Sequence, residues 1–299
     1  MDVFRLPDAT QIGHAHLQIS DLQRALHFYK DLIGFKEIVR QNETAVLSAN
    51  GDSPAHMLLT ARANAKPKPP RTSGLFHVAI RFPNRRELAR VFRNLLEHDW
   101  PFQGFSDHGV SEALYLADPD GNGIELYADR PRAQWIWRNG AIAMFTEPLD
   151  VDHLLREAAT DTSRQYEIHP QTDIGHVHLH VSDLDKAEAF YHGVLGLDVT
   201  QRSYPGALFV SAGGYHHHVG LNIWAGKGAP PPPPEAVGLI SFSLQIPDEE
   251  TFAILSQRLK AAGFPSEDRS ATANRPALWT RDQDGNGVEI ILGLRADEK

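Results

Sequence analysis

A chain of 299 residues is long enough for two domains of ordinary size, and 41% hydrophobic with 22% charged residues is a globular composition rather than a disordered one. A formal charge of −9 with no lysine or arginine stripe argues against a nucleic-acid partner or an anionic membrane surface. With no cysteine, disulfides, zinc-thiolate sites, iron–sulfur clusters and thiol nucleophiles are excluded, and any metal chemistry rests on the 16 histidines and on carboxylates.

The N-terminal stretch MDVFRLPDATQIGH has no basic start followed by an apolar run, and no apolar stretch reaches the length of a membrane span, so a cytoplasmic protein is expected. From there HAHLQI alternates as a strand, SDLQRALHFY reads as a helix opened by aspartate, and TAVLSAN and HMLLTAR follow as strands. After the proline-bearing linker PKPPRTSG, a second unit runs through the strand FHVAIRF, the helix PNRRELARVFRNLLEH and the strands EALYLAD and GIELYAD, the last two joined by the turn DPDGNG. Residues 132–172, with AQWIWRNG and a short helix in LDVDHLLREAA, stand outside this pattern and read most simply as a connector. A third unit offers HVHLHV, SDLDKAEAFY, ALFVSAG and HHVGLNIW; past PPPPPEAVG, a fourth offers ISFSLQI, PDEETFAILSQRLKAAG, PALWTRD and GVEIILG.

The order is itself a repeat. IGHAHLQISDLQRALHFYKDLIGF at 12–35 recurs as IGHVHLHVSDLDKAEAFYHGVLGL at 174–197, and DPDGNGIELY at 118–127 recurs as DQDGNGVEIIL at 282–292. The reading is an α+β fold of four βαβββ-like modules at about 10–65, 74–131, 173–227 and 236–295. They group as two tandem domains, 1–131 and 173–299, with 132–172 between them. In GHVHLHVSDL at 175–184, strand alternation puts His176, His178 and His180 on one face and Val177, Leu179 and Val181 on the other. A strand needing only a polar face has cheaper choices than three histidines, so this face asks for a chemical purpose. Asp118, Asp120, Gly121, Asn122 and Gly123 are expected to build the turn alone.

Four such units, strands opening on Gly-His, and closing strands on DPDGNG-[IV]-E resemble the vicinal oxygen chelate superfamily across nearly the whole chain. YHHHVGLNIWAG at 215–226 and DHGVSEALYLADPDGNGIELYADRP at 107–131 are similar to the bacterial catechol 2,3-dioxygenase branch, the type I extradiol ring-cleaving enzymes. The resemblance implies two modules paired into a cup of curved mixed sheet with a metal inside. Iron(II), or manganese(II) on the same donors, would be held by two histidines and a glutamate; a small aromatic diol and dioxygen would be the substrates. Two other activities share that cup: a glyoxalase-like isomerase or thiol transferase, and metal-free binding of a small drug-like molecule.

The resemblance places ligands at the histidine opening a first strand, the histidine opening its partner's first strand, and the glutamate of a last strand. Module two offers His77 and Glu125, module one His14 and module three His176; in module four Ser241 stands where His77 stands, although Glu289 is kept. His77 and Glu125 therefore belong to the site, and the third ligand is His176 if modules two and three pair, or His14 if one and two pair. The run His216–His218 favours the former, because the resemblance implies an acid/base histidine on that stretch. His218 is chosen for that role, with His217 next; Tyr115 matches a tyrosine aimed at the substrate oxygen, and His108 a residue closing over it. Trp224 and Phe76 would meet the apolar part of the substrate. Oligomeric state is left open, a homo-oligomer included.

Overall fold

The computed structural model describes residues 4–138, 141–159, 166–273 and 275–293. Module one holds β1 (Gln11–Ile19), β2 (Lys36–Gln41), β3 (Thr44–Ser48) and β4 (Met57–Ala61). Module two holds β5 (Gly74–Phe82), β6 (Phe102–Asp107), β7 (Ser111–Ala117) and β8 (Gly123–Asp129). The connector adds β9 (Trp137–Arg138), β10 (Ala141–Ile142) and β11 (Glu147–Pro148). Module three holds β12 (Asp173–His180), β13 (Asp198–Gln201), β14 (Ala207–Ser211) and β15 (Val219–Asn222); module four holds β16 (Gly238–Ile246), β17 (Ser266–Asp268), β18 (Ala277–Arg281) and β19 (Gly287–Leu292). The α-helices are α1 (Leu22–Leu26), α2 (Arg85–Glu97), α3 (Val151–Ala158), α4 (Leu184–Glu188), α5 (Glu249–Ala261) and α6 (Ser270–Ala273), and a single 3-10 turn spans Arg132–Gln134.

Short polar caps start the helices. Asp21, Asn84, Asp150, Asp183 and Asp248 each accept backbone N–H groups of the first turn, which would otherwise lack partners. In α2 the cap is Asn84, whose side chain accepts from Glu87 N. The helices α1 and α4 stop after five residues and continue as one wider π-turn each, His27–Leu32 and Ala189–Val194. The wider turn lets two consecutive aromatic residues, Phe28–Tyr29 and Phe190–Tyr191, be wholly buried together.

The modules pair across the repeats. Modules two and three form a nine-stranded sheet, β11-β6-β7-β8-β5-β12-β15-β14-β13, and modules one and four an eight-stranded sheet, β17-β18-β19-β16-β1-β4-β3-β2. In each module the first and last strands are parallel neighbours. First strands join antiparallel at the centre of each sheet, β5 with β12 and β1 with β16, and in the former His178 lies opposite His77. Sequence-adjacent modules instead meet through the acidic turns. Asp118 accepts from Tyr29 Oη at 3.0 Å and Asp120 from Ser20 N at 2.7 Å; in the other pair Asp282 accepts from Tyr191 Oη at 2.9 Å and Asp284 from Ser182 N at 3.0 Å. DPDGNG and DQDGNG thus build their turns and also fasten one sheet to the other, which corrects the expectation of turns alone.

Two glycines are needed by close approach beside the site. A Cβ on Gly123 would meet the Phe76 carbonyl oxygen at 2.0 Å, and one on Gly175 would lie 1.7 Å from Tyr127 Oη. Gly175→Ala is therefore expected to push Tyr127 from its place and lower stability by about 1–3 kcal/mol, the usual cost of overpacking. The thermal unfolding midpoints of variant and wild type measure it; equal midpoints would contradict the packing argument. Among the described residues no helix is long and apolar enough to cross a membrane.

Candidate metal centre

Three strands of the nine-stranded sheet carry the cluster. β5 presents His77, its parallel neighbour β8 presents Glu125, and its antiparallel neighbour β12 presents His176. Glu125 Oε2 lies 2.9 Å from His77 Nε2 and 3.1 Å from His176 Nε2, and the three ligand atoms all fall within 4.8 Å of one another. All three side chains are buried, at 5, 3 and 1% exposure for His77, Glu125 and His176. Burial opposes the charge on Glu125, but His176 and His77 beside it hold its carboxyl well below the usual range. Burial also lowers His176 to about 4 despite that carboxylate, so the ring is a neutral donor at pH 7.

These donors fit a divalent transition metal. His77 Nε2 is buried, close to a carboxylate oxygen, and yet makes no aligned hydrogen bond. An orphaned ring nitrogen, a second imidazole and an ionised carboxylate converging on one point form the two-histidine, one-carboxylate donor set that suits iron(II) or manganese(II).

His14 is elsewhere, which corrects it as an alternative ligand. It sits on β1 in the other sheet, where Ser243 Oγ lies 3.1 Å from its Nδ1, its Nε2 is 3.5 Å from Glu289, and Ser241 Oγ donates to Glu289 at 2.9 Å. That sheet has serine where the first has a histidine ligand, and among the described residues His77, Glu125 and His176 are the one group able to hold a metal in this way.

His77 and Glu125 open onto a cavity of about 240 Å³. Its lining includes Tyr115, His108, His178 and His217, with Phe76, Tyr204, Phe209 and Trp224 as aromatic walls. His108 Nδ1 lies 2.8 Å from the Phe145 carbonyl, which can only accept, so Nδ1 carries the proton and Nε2 accepts from Tyr115 Oη at 2.7 Å. Burial, and then Glu125, push the Tyr115 phenol well above its usual pKa, so it stays a donor.

His218 does not reach the cavity. The run His216–His218 lies in the loop before β15 rather than on a strand, so strand alternation does not govern it, and His218 Nδ1 instead accepts from Ala212 N at 3.2 Å and faces Ser211 Oγ at 3.0 Å. His217 lines the cavity, its ring centroid 4.1 Å from that of His176. Behind it is a chain that sequence reading missed: His217 Nδ1 to His216 Nδ1 at 2.8 Å, and His216 Nε2 to Asp129 Oδ1 at 2.9 Å. Burial disfavours the charge on Asp129, but His216 next to it holds the carboxyl below its usual pKa. An ionised Asp129 accepts from His216 Nε2–H, so that Nδ1 of His216 accepts from His217 Nδ1–H, leaving the His217 lone pair on Nε2. The signal was present: Glu125, Tyr127 and Asp129 share one face of β8.

The connector was expected to be a linker, but residues 144–146 close the cavity. Met144, Phe145 and Thr146 all line it, Gln201 Nε2 donates to the Met144 carbonyl at 3.3 Å, and the Thr146 and Tyr204 hydroxyls are 3.1 Å apart. β11 just beyond pairs with β6, adding the connector to the sheet edge.

Buried neutral histidines make the metal-free chain sensitive to acid. Burial lowers His218 to about 3 and His16 to about 4. Their unfolded counterparts bind protons below pH 6.5 while the folded rings do not, so stability is lost as pH falls through that window, by about 1.4 kcal/mol per pH unit for each. Asp282, pushed up to about 6 by burial, acts in the opposite direction between pH 6 and 3.8, one carboxyl against two histidines. The unfolding midpoint of the metal-free protein is expected to fall from pH 7.5 to pH 5; a flat or rising profile would overturn this.

Paired βαβββ modules enclosing a buried two-histidine, one-carboxylate cluster define a class of metal-site proteins. The chain belongs to the Glyoxalase/Bleomycin resistance protein/Dioxygenase superfamily, whose model matches residues 11–126 and 173–290. A Bacillus subtilis (strain 168) protein named Catechol-2,3-dioxygenase is 47% identical over 263 residues, covering 87% of this chain and 90% of its own length. The Manganese-dependent 2,3-dihydroxybiphenyl 1,2-dioxygenase of Geobacillus genomosp. 3 is 28% identical over 133 residues, 42% of this chain and 39% of its own. The crystal structure of glyoxalase I from Zea mays shares the fold, with a TM-score of 0.57 at 16% identity, covering 95% of this chain and 92% of that one.

Proposed function

We propose that the protein is an extradiol dioxygenase that opens a catecholic ring with dioxygen at an iron(II) held by His77, Glu125 and His176. The buried donor set at the floor of an aromatic-walled cavity carries this reading, and the 47% identity to a protein named Catechol-2,3-dioxygenase supports it. Iron(II) in this site supplies Lewis acidity toward two vicinal phenolic oxygens and a path for electrons between ring and dioxygen.

The chain's own residues do the rest. Phe209, Tyr204 and Trp224 offer flat apolar surface to the diol ring. His217, kept neutral by burial, takes a phenolic proton on Nε2 and returns it as the ring opens; Asp129 acting through His216 fixes its tautomer. Tyr115, whose proton is held by His108, offers its phenolic oxygen as an acceptor for a substrate hydroxyl. The segment 144–146 keeps bulk water out.

The test is anaerobic purification with metal analysis, followed by catechol and oxygen-electrode assays on protein loaded with iron(II) or manganese(II). About one metal per chain and one dioxygen consumed per catechol, with a yellow product, is the expected result. Metal without oxygen uptake would favour an isomerase or thiol transferase, and no metal at all a binding protein.

A further inference from the structure

A second cavity of about 420 Å³ lies behind the first, and Phe76 and Trp224 line both. Their rings meet edge to face at 5.5 Å, and they are 37 and 45% exposed, unusual for large aromatics. On the far side the outer chamber is lined by Lys68, Arg71, Thr72 and His180. Lys68 is half-buried, its Nζ donates to the Leu75 carbonyl at 2.8 Å, and no carboxylate forms an ion pair with it among the described residues. Burial lowers it to about 8, so at pH 7 the ammonium is kept without a counter-charge. The acid that also lines the chamber, Asp120, is already engaged by Ser20 and Arg24.

The two proline-rich linkers hold this arrangement in place. Lys66 N donates to Glu235 O at 2.9 Å, Ser73 N to Pro230 O at 2.9 Å, and Val237 N to Lys66 O at 2.8 Å, so 66–73 and 230–237 brace each other. Stiff proline backbone fixes the position of Lys68 at little entropic cost on binding.

We propose that the outer chamber is a subsite for a carboxylate carried on the ring substituent of the diol, paired with Lys68 and with Arg71 at the rim, and that the touching rings of Phe76 and Trp224, the wall shared by both cavities, part to admit the substituent. This rests on the ring-cleavage reading for the identity of the ligand, and it names the substrate class: aromatic diols bearing an acidic side chain. Burial lowers the pKa of His180, whose Nδ1 donates to Asn222 Oδ1 at 2.6 Å, and keeps the ring neutral at pH 7, so the cationic groups that line this chamber are Lys68 and Arg71.

The test compares 3-(3,4-dihydroxyphenyl)propionate with its neutral amide on the iron-loaded enzyme. The acid is expected to exceed the amide in kcat/KM by about tenfold, as befits one charge-assisted hydrogen bond. Lys68→Met should bring the ratio near one and Lys68→Arg should keep it. A ratio near one in wild type, or one that Lys68→Met leaves intact, overturns the proposal. A readout independent of turnover separates its failure from that of the ring-cleavage reading: calorimetric binding of 3-phenylpropionate, which lacks the vicinal hydroxyls, against 3-phenylpropanamide. Binding of the acid that is lost in Lys68→Met and retained in Lys68→Arg supports the subsite even if no catechol is cleaved; absence of binding by wild type overturns it.

Discussion

Glu125→Gln is expected to lower kcat/KM for catechol by about 10³-fold or more and to strip the metal from the purified protein, because the substitution removes the one anionic donor while keeping shape and volume. The carboxylate lies within 3.1 Å of both ligand imidazoles and is buried, so no water-exposed group can replace it. Glu289→Gln in the other sheet is the matched control. Glu289 holds the same place in its module but is engaged by Ser241 and faces His14, and its loss should leave metal content untouched. The measurements are metal per chain, steady-state rates and unfolding midpoints for both variants. Full metal occupancy in Glu125→Gln, or loss of metal in Glu289→Gln, would refute the assignment.

Next in size is the contrast between neighbouring histidines. His217→Ala is expected to cost about 10²–10⁴ in kcat, the usual worth of a positioned acid/base, with the metal retained; His218→Ala should change stability alone, because its ring is tied to Ser211 and Ala212 behind the cavity wall. Asp129→Asn keeps the shape of the chain but removes the carboxylate that sets the His216 tautomer. It should lower kcat by about tenfold to a hundredfold and shift the acidic limb of the pH–rate profile, which a merely structural role would not do. A rate loss in His218→Ala that exceeds the loss in His217→Ala would reverse the assignment.

The repeat made much of this readable in advance. Two copies of the Gly-His strand and of the Asp-Gly-Asn turn set the module boundaries, and period-two alternation put His176 and His178 on the face that β12 turns into the cup. Ser241 in place of a histidine showed which module could not complete a site. The direction of the His216–His218 side chains was not readable, because those residues precede the strand and their orientation follows from a loop hydrogen-bonded to Ser211 and Asp129. Nor was the closing role of 144–146, whose place depends on Gln201, Tyr204 and His108, distant in sequence.

By itself the sequence determined the modules, the first, third and last strands of each, the helices and the donor residues, since each follows from local spacing and local hydrogen bonding. Tertiary structure decided which modules share a sheet, and so which histidine joins His77 and Glu125. Every module exposes the same kind of first-strand edge, and the local pattern is equally satisfied by any two of them side by side. The choice between pairings is made by contacts that exist only once the chain is folded: β5 against β12, β1 against β16, and Tyr29 and Tyr191 reaching the acidic turns of the opposite sheets.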